Sequence, residues 1–443
     1  MKYITVILML LSLSLLMADP VIYPTTTLIE NFGATWCGAC QFALDGLDVI
    51  AAEVPPAEII VSRLLTESGE YTTPEIDDRF GYYEVLGLPA VIFNGKVRVD
   101  GSGDGIADGS LYHAALNNYR YLGSPLKMLM PSFDPASGAI SVSVELLNPA
   151  MSIQNASLIF YLVEDHISTE LTNIVRDIVV QDLDLSYTGN AQVFNADFDV
   201  APSWITGHLR ALAFVQLENK AVLQSVSSLA LPQNMVQAAL PFDNNIQGEA
   251  NVQYESPHFL IYNLGNADTF TRHIEVLSAP DDWYFNYCDA DGNCYPGSIQ
   301  IPFELGTGEY AEYDLNLAIG SDGTAIFNFV ISSDNLGEYK IPFVYSTGTS
   351  NSDLVASPGL SVLRSYPNPF SSQLSFELES AKAGDAGNLE LFNLKGQRVL
   401  SVSLGSLNQG MNSLELRTSE LPNGVYFYKL SGSTQTGKIL KIK

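Results

Sequence analysis

Leu28-Ile29-Glu30-Asn31-Phe32-Gly33-Ala34-Thr35-Trp36-Cys37-Gly38-Ala39-Cys40 is the stretch whose reading decides the fold. A strand-like apolar run enters a short loop, and Trp36 leads into two cysteines separated by two residues. Gln41 to Ala52 then reads as a helix, which places Cys37 at a helix N-terminus, where free N–H groups and the helix dipole favour an anion. Such a position lowers a thiol pKa and supplies thiolate, the reactive species. A fixed structural disulfide would use the same spacing, so the motif alone leaves redox turnover and simple bracing both open.

Working outward, residues 19–123 alternate strand-like and helix-like segments. Thr27 to Phe32 and Ala57 to Ser62 read as strands, and Ala39 to Glu53 as a helix. Thr73 is a suitable cap for a helix from Pro74 to Tyr83, with Glu75, Asp77 and Asp78 in its first turns. Ala90-Val91-Ile92-Phe93 and Lys96-Val97-Arg98-Val99, joined by Asn94-Gly95, form a hairpin signal. Asp108 to Tyr121 reads as a closing helix. This is an α/β arrangement around a mixed sheet.

That order, with Trp36-Cys37-Gly38-Ala39-Cys40 and Gly87-Leu88-Pro89-Ala90, resembles the thioredoxin superfamily. The resemblance implies a cis Leu88–Pro89 bond facing a Cys37–Cys40 disulfide. It also implies that Cys37 and Cys40 are catalytic and that Trp36, Leu88 and Pro89 contact a substrate peptide. Two departures stand out. Ala39 occupies a place where many relatives have proline, and Asn31 stands where the family has a buried acid. Asn cannot take a proton, and Glu30 beside it should face the other side of the strand by period-two alternation. The segment Arg63 to Tyr71, followed by Arg79-Phe80-Gly81-Tyr82-Tyr83, exceeds a minimal member and resembles the thioredoxin-like domain of Bacteroidetes-type surface proteins. Tyr82 and Tyr83 read as packing residues.

Composition fits an exported chain. The 443 residues imply three or four domains. A hydrophobic fraction of 47% with 16% charged residues describes folded material. The net charge of −28 argues against nucleic acid and anionic membranes as partners. Lys2, the apolar run from Ile4 to Ala18 and the small residue at its end describe a signal peptide over 1–18. Export implies an oxidising compartment, where local spacing suggests the pairs Cys37–Cys40 and Cys288–Cys294.

From Ser124 onward short alternating strands dominate, pointing to a β-sandwich over 124–232 and an Ig-like β-sandwich over 233–345. His166 and His208 lack a second histidine at ligand spacing and read as loop residues. Cys288 to Cys294 reads as a stapled hairpin tip. Its Asp289, Asp291 and Asn293 alternate as calcium ligands can, but glycine falls at the fourth place and Gln300 at the twelfth, so a plain turn is expected. No metal and no cofactor are expected. Trp283 and Tyr284 raise a further reading, glycan binding by this sandwich.

Residues 346–361 read as a Ser/Thr/Gly linker. Beyond it the charge reverses: Leu354 to Lys443 has nine Lys or Arg and six Asp or Glu, +3, so the remainder carries −31. Lys395-Gly396 and Asn423-Gly424 are turns in a small all-β domain over 362–443. Ser365-Tyr366-Pro367-Asn368-Pro369-Phe370, the Gly396 hairpin, Leu421-Pro422-Asn423-Gly424-Val425-Tyr426 and the basic end resemble the type A C-terminal sorting domain of the type IX secretion system. The resemblance implies passage through the periplasm to a secreted or cell-surface location, with the secretion machinery as partner and either release or outer-membrane surface attachment. The expectation is therefore a thioredoxin-like thiol–disulfide oxidoreductase acting on protein thiols or disulfides. The alternative is a non-catalytic adhesion or binding protein whose disulfide is structural.

Overall fold

The computed structural model describes residues 21–66, 71–101, 109–168 and 171–347. In the C-terminal part it describes 360–441, leaving out 367–369, 371–372, 381–383, 386–387, 394–397, 409, 420, 423 and 431–435. The expected signal peptide and residues 348–359 of the expected linker lie outside the described residues. The linker's ends do not read as linker: residues 346–347 close one strand and 360–361 open another. The chain forms two units, Met1–Gly348 and Thr349–Lys443.

After a two-residue strand at Tyr23–Pro24, the first unit runs through β1 (Thr27–Gly33), α1 (Gly38–Glu53), β2 (Ile59–Leu65), α2 (Pro74–Tyr82), β3 (Ala90–Phe93), β4 (Val97–Asp100) and α3 (Ser110–Leu116). Thr73 caps α2 by accepting from the Ile76 N–H, as its Thr-Pro start dictates. The last helix is shorter than expected, because Asn117 to Tyr121 leave it as turns that end the segment. The β3–β4 turn places Asn94 and Gly95 at positive φ, 43° and 69°. A Cβ at Gly95 would run into the Lys220 carbonyl, so this turn needs glycine for space as well as for backbone.

Beyond Gly123–Ser124, which pairs with Tyr23–Pro24, come β5 (Leu126–Phe133), β6 (Ala139–Leu146), β7 (Ser152–Glu164), β8 (Ile174–Ser186), β9 (Gln192–Asp197), β10 (Leu209–Gln216) and β11 (Val222–Ser227). They do not make a separate sandwich. The sheet runs β11-β10-β7-β8-β2-β1-β3-β4, with β8 joined to β2 at the single pair Ile174–Arg63. One face of β1–β4 packs on α1 and α3 through Ile29, Leu47, Ile50, Phe93 and Leu116. The other face packs on α2 and on the β7–β11 half of the same sheet, through Leu28, Phe32, Leu64, Tyr161 and Phe214. The reverse face of β7 and β10 packs on the β9-β6-β5 sheet through Leu158, Phe160, Ala213 and Val142. The expected boundary at 123/124 therefore divides the chain but not the sheet. The physical reason is that β7 and β10 are buried on both faces, and the second face needs the first module to cover it.

Residues 236–347 form a sandwich of two sheets around Phe259, Tyr287, Tyr313, Phe327, Phe329 and Phe343. It joins the first module through Gly123 and Leu240, whose backbones bond at 2.8 Å, and through the Tyr23–Tyr262 ring contact. The Cys288–Cys294 disulfide links directly opposed residues of Tyr284–Asp289 and Cys294–Pro296. Replacing both cysteines with serine is expected to lower the stability of this sandwich by about 2 kcal/mol in urea melts, the entropic worth of so short a loop. No loss would mean that the turn hydrogen bonds already hold the tip. No described helix is long and apolar enough to cross a membrane.

The C-terminal unit, taken by itself, is all β. Leu360–Tyr366, Gln373–Ser380 and Gly410–Arg417 form one sheet. Arg398–Ser403, Asn388–Asn393, Gly424–Leu430 and Thr436–Lys441 form another. Phe376, Leu389, Tyr426, Tyr428 and Ile439 fill the space between them.

Candidate active site

The end of β1 fixes where the two cysteines sit. Gly33 pairs with Leu65 of β2, and Phe32 pairs with Ala90 of β3. The Cys37 loop, the exit of β2 and the Leu88–Pro89 entry to β3 therefore leave the sheet at one end. Cys37 is the N-cap of α1, with φ −86° and ψ 99°, and its Sγ accepts from the Cys40 N–H at 3.2 Å. Cys37 and Cys40 form a disulfide with a Cα separation of 5.3 Å. Cys37 is half-buried while Cys40 is 1% exposed, so the first cysteine of the pair is the one open to solvent. Trp36, 73% exposed, and Leu86, 96% exposed, leave apolar surface on the two loops at this end. Leu88 is half-buried, Pro89 is buried and the bond between them is cis.

Behind the disulfide, Ile29, Asn31 and Gly33 face α1. A Cβ at Gly33 would lie 3.5 Å from Cys40 Sγ, so the strand passes close behind the buried sulfur. Asn31, two residues back on that face, is buried, and its Oδ1 has no hydrogen-bond partner. Arg63 of β2 is its cross-strand neighbour. No acidic residue stands in the first turn of α1.

Glu30 faces the other way, as alternation requires, into a buried polar network that the sequence did not announce. Arg79 of α2 donates to Glu30 Oε1 at 2.8 Å and to Oε2 at 2.9 Å. Tyr83 and Tyr161 donate to the same carboxylate, each at 2.7 Å. Gln216 of β10 accepts from Arg79 at 2.6 Å and donates to the Tyr83 hydroxyl at 2.9 Å. Burial opposes the charge on Arg79, but the Glu30 carboxylate outweighs it and holds the guanidinium protonated. Burial, reinforced by Glu30, pushes the Tyr83 phenol well above its ordinary range. Tyr83 is thus a bonded member of a charged cluster, beyond the packing role expected of it. The network ties α2, whose C-terminal end leads into the Leu86–Pro89 loop, to β1, β7 and β10. The available signals were a glutamate inside an apolar run and an arginine on the buried stripe of α2.

The other expected positions fall apart from this site. The His166 and His208 rings stand 6.1 Å apart. No group of three or more His, Cys, Asp or Glu placed to hold a metal occurs among the described residues. Asp289 Oδ1 accepts from the backbone N–H groups of Asp291 and Asn293, the pattern of a capped turn. Trp283 is buried and donates to the Ser321 carbonyl at 2.8 Å; only Tyr284 of that aromatic pair is exposed.

Among solved structures, the chain resembles dimeric latent PorU from Porphyromonas gingivalis at 10% identity and a TM-score of 0.18, over 72% of this chain and 34% of that one. The secreted serine protease VesC from Vibrio cholerae matches at 10% identity and a TM-score of 0.24, over 67% and 86%. A beta-glycosidase from Bacteroides vulgatus matches at 12% identity and a TM-score of 0.23, over 53% and 26%. The chain spans about a third of the length of PorU, and scores this low carry no argument about fold or function. A search among curated proteins finds no significant match. Residues 364–442 match the family described as "Secretion system C-terminal sorting domain". The chain thus ends in a type IX secretion sorting domain, which engages that secretion machinery and marks an exported protein of the cell surface or the surrounding medium.

Proposed function

We propose that residues 19–123 form a thioredoxin-like domain and that the exported protein is a thiol–disulfide oxidoreductase working through Cys37 and Cys40. The observation that carries this reading is the asymmetric disulfide at the N-terminus of α1, with one sulfur approachable and the other buried. The mixed sheet order, with α1 and α3 on one face and α2 on the other, supports it. A substrate thiolate attacks Cys37 Sγ, the Cys37–Cys40 bond breaks and Cys40 leaves as thiolate. A second substrate thiolate then displaces Cys37, so the substrate gains a disulfide and the protein is left as the dithiol. The oxidant consumed is the Cys37–Cys40 disulfide, and the reverse sequence reduces a substrate disulfide. Trp36, Leu88 and Pro89 flank the approach to Cys37.

Cys40→Ser removes the resolving thiol and is expected to accumulate mixed disulfides on Cys37 that dithiothreitol releases, visible on non-reducing gels. The double variant Cys37→Ser/Cys40→Ser should trap none. A Cys40→Ser protein that captures nothing, with a wild-type potential below about −300 mV, would sink the proposal, because inert structural disulfides lie there. The competing reading, a binding protein braced by a fixed disulfide, draws on Asn31, which puts no titratable acid behind Cys40 to assist proton transfer.

A further inference from the structure

At the far end of β2 and α1 from the disulfide lies a cavity of about 680 Å³. Its walls are the last turn of α1 with the entry to β2, the edge strand β5, and β11 with the segment that follows it. The rim is apolar and open. Leu129, Leu229 and Leu231 are each about half exposed. The β5–β6 register shifts between Leu129 and Ser132, which leaves Met130 and Pro131 without ladder partners.

Among the described residues the wall carries one cation, Arg210, which is 5% exposed. Its Nε donates to Asp165 at 2.8 Å, and its Nη2 donates to the Val61 carbonyl at 2.9 Å and to Asn173. Its Nη1 has no hydrogen-bond partner. A buried guanidinium nitrogen without an acceptor forfeits a charge-assisted bond, among the stronger ones a protein makes. Gln224 on the same wall is already used, accepting from Thr26 N–H and donating to the Pro24 and Leu126 carbonyls. The volume falls within the ordinary range for small-ligand sites, and junctions between modules are where such sites concentrate.

We propose that this cavity binds an amphipathic anion, an apolar chain ending in a carboxylate. The chain lies along Leu129, Met130, Leu229 and Leu231, and the carboxylate meets Arg210. The site is separate from the disulfide and does not depend on the redox reading.

Titration calorimetry of the full-length protein with decanoate, decanol and decyltrimethylammonium tests it. Decanoate is expected to bind at one site, decanol roughly tenfold more weakly for want of the charge-assisted bond, and the cation not measurably. Because Arg210→Met risks the fold through Asp165, the decisive variant is Leu229→Glu on the exposed rim, which should abolish decanoate binding. Equal binding of decanol and decanoate, unchanged binding in Leu229→Glu, or no binding of decanoate to the wild type each overturns the proposal.

Discussion

Replacing Arg79 with methionine is expected to destabilise the 21–347 unit by about 3–5 kcal/mol, the cost of stripping one partner from a buried ion pair. Glu30 is fully buried, and Arg79 supplies both of its guanidinium bonds. The tyrosines that remain, Tyr83 and Tyr161, can solvate the carboxylate but cannot neutralise it. The loss would appear as a lower urea midpoint in tryptophan fluorescence. The double variant Glu30→Leu/Arg79→Met removes the stranded charge and should recover most of the stability, since an apolar pair of similar volume often replaces a buried ion pair without loss. A single variant costing under about 1 kcal/mol would show that water reaches Glu30 and that the network does not join the modules.

Much of this architecture is legible in the sequence, for reasons that differ by element. Thr73-Pro74 and Asn94-Gly95 act through local backbone chemistry, so the α2 start and the β3–β4 turn fall where those residues require. The half-exposed Cys37 follows from its place at a helix start. The union of two sheets into one was harder to read, because a single bridge at Ile174–Arg63 joins them across 111 positions of sequence. A signal was nevertheless present. Leu158-Ile159-Phe160-Tyr161-Leu162-Val163 is apolar without alternation, and such a run within a strand marks burial on both faces. Ile159, Tyr161 and Val163 meet the first module, while Leu158, Phe160 and Leu162 meet the β9-β6-β5 sheet. Glu30 and Tyr83 could be assigned a face by periodicity, but their partners Tyr161 and Gln216 lie more than 130 residues away. Arg210 was unreadable for the same reason, since Val61, Asp165 and Asn173 converge on it only in the folded chain.

The double-sided burial has its largest consequence for the fragment 19–123, which is expected not to fold by itself. Cutting after Gly123 strips the β7–β11 half-sheet from the face formed by Leu28, Phe32, Ile60, Leu64 and Ile92, all buried in the whole chain, and leaves α2 alone to cover it. Fully exposing a large apolar side chain costs roughly 1.5–3 kcal/mol, so half-uncovering five of them costs about 4–8 kcal/mol. That is comparable with the whole stability of a typical domain, about 5–15 kcal/mol. The fragment also loses Tyr161 and Gln216, two of the groups that satisfy the Glu30–Arg79 pair. Fragment 19–347 keeps every one of these contacts. Dispersed amide spectra and a single cooperative urea transition are therefore expected for 19–347, and collapsed spectra without a transition for 19–123. A shorter fragment that unfolds cooperatively with a similar midpoint would overturn this and restore an independent first domain. If the expectation holds, any thiol chemistry at Cys37 belongs to the joined modules, because the strand behind Cys40 is held in place only when both of its sheet faces are covered.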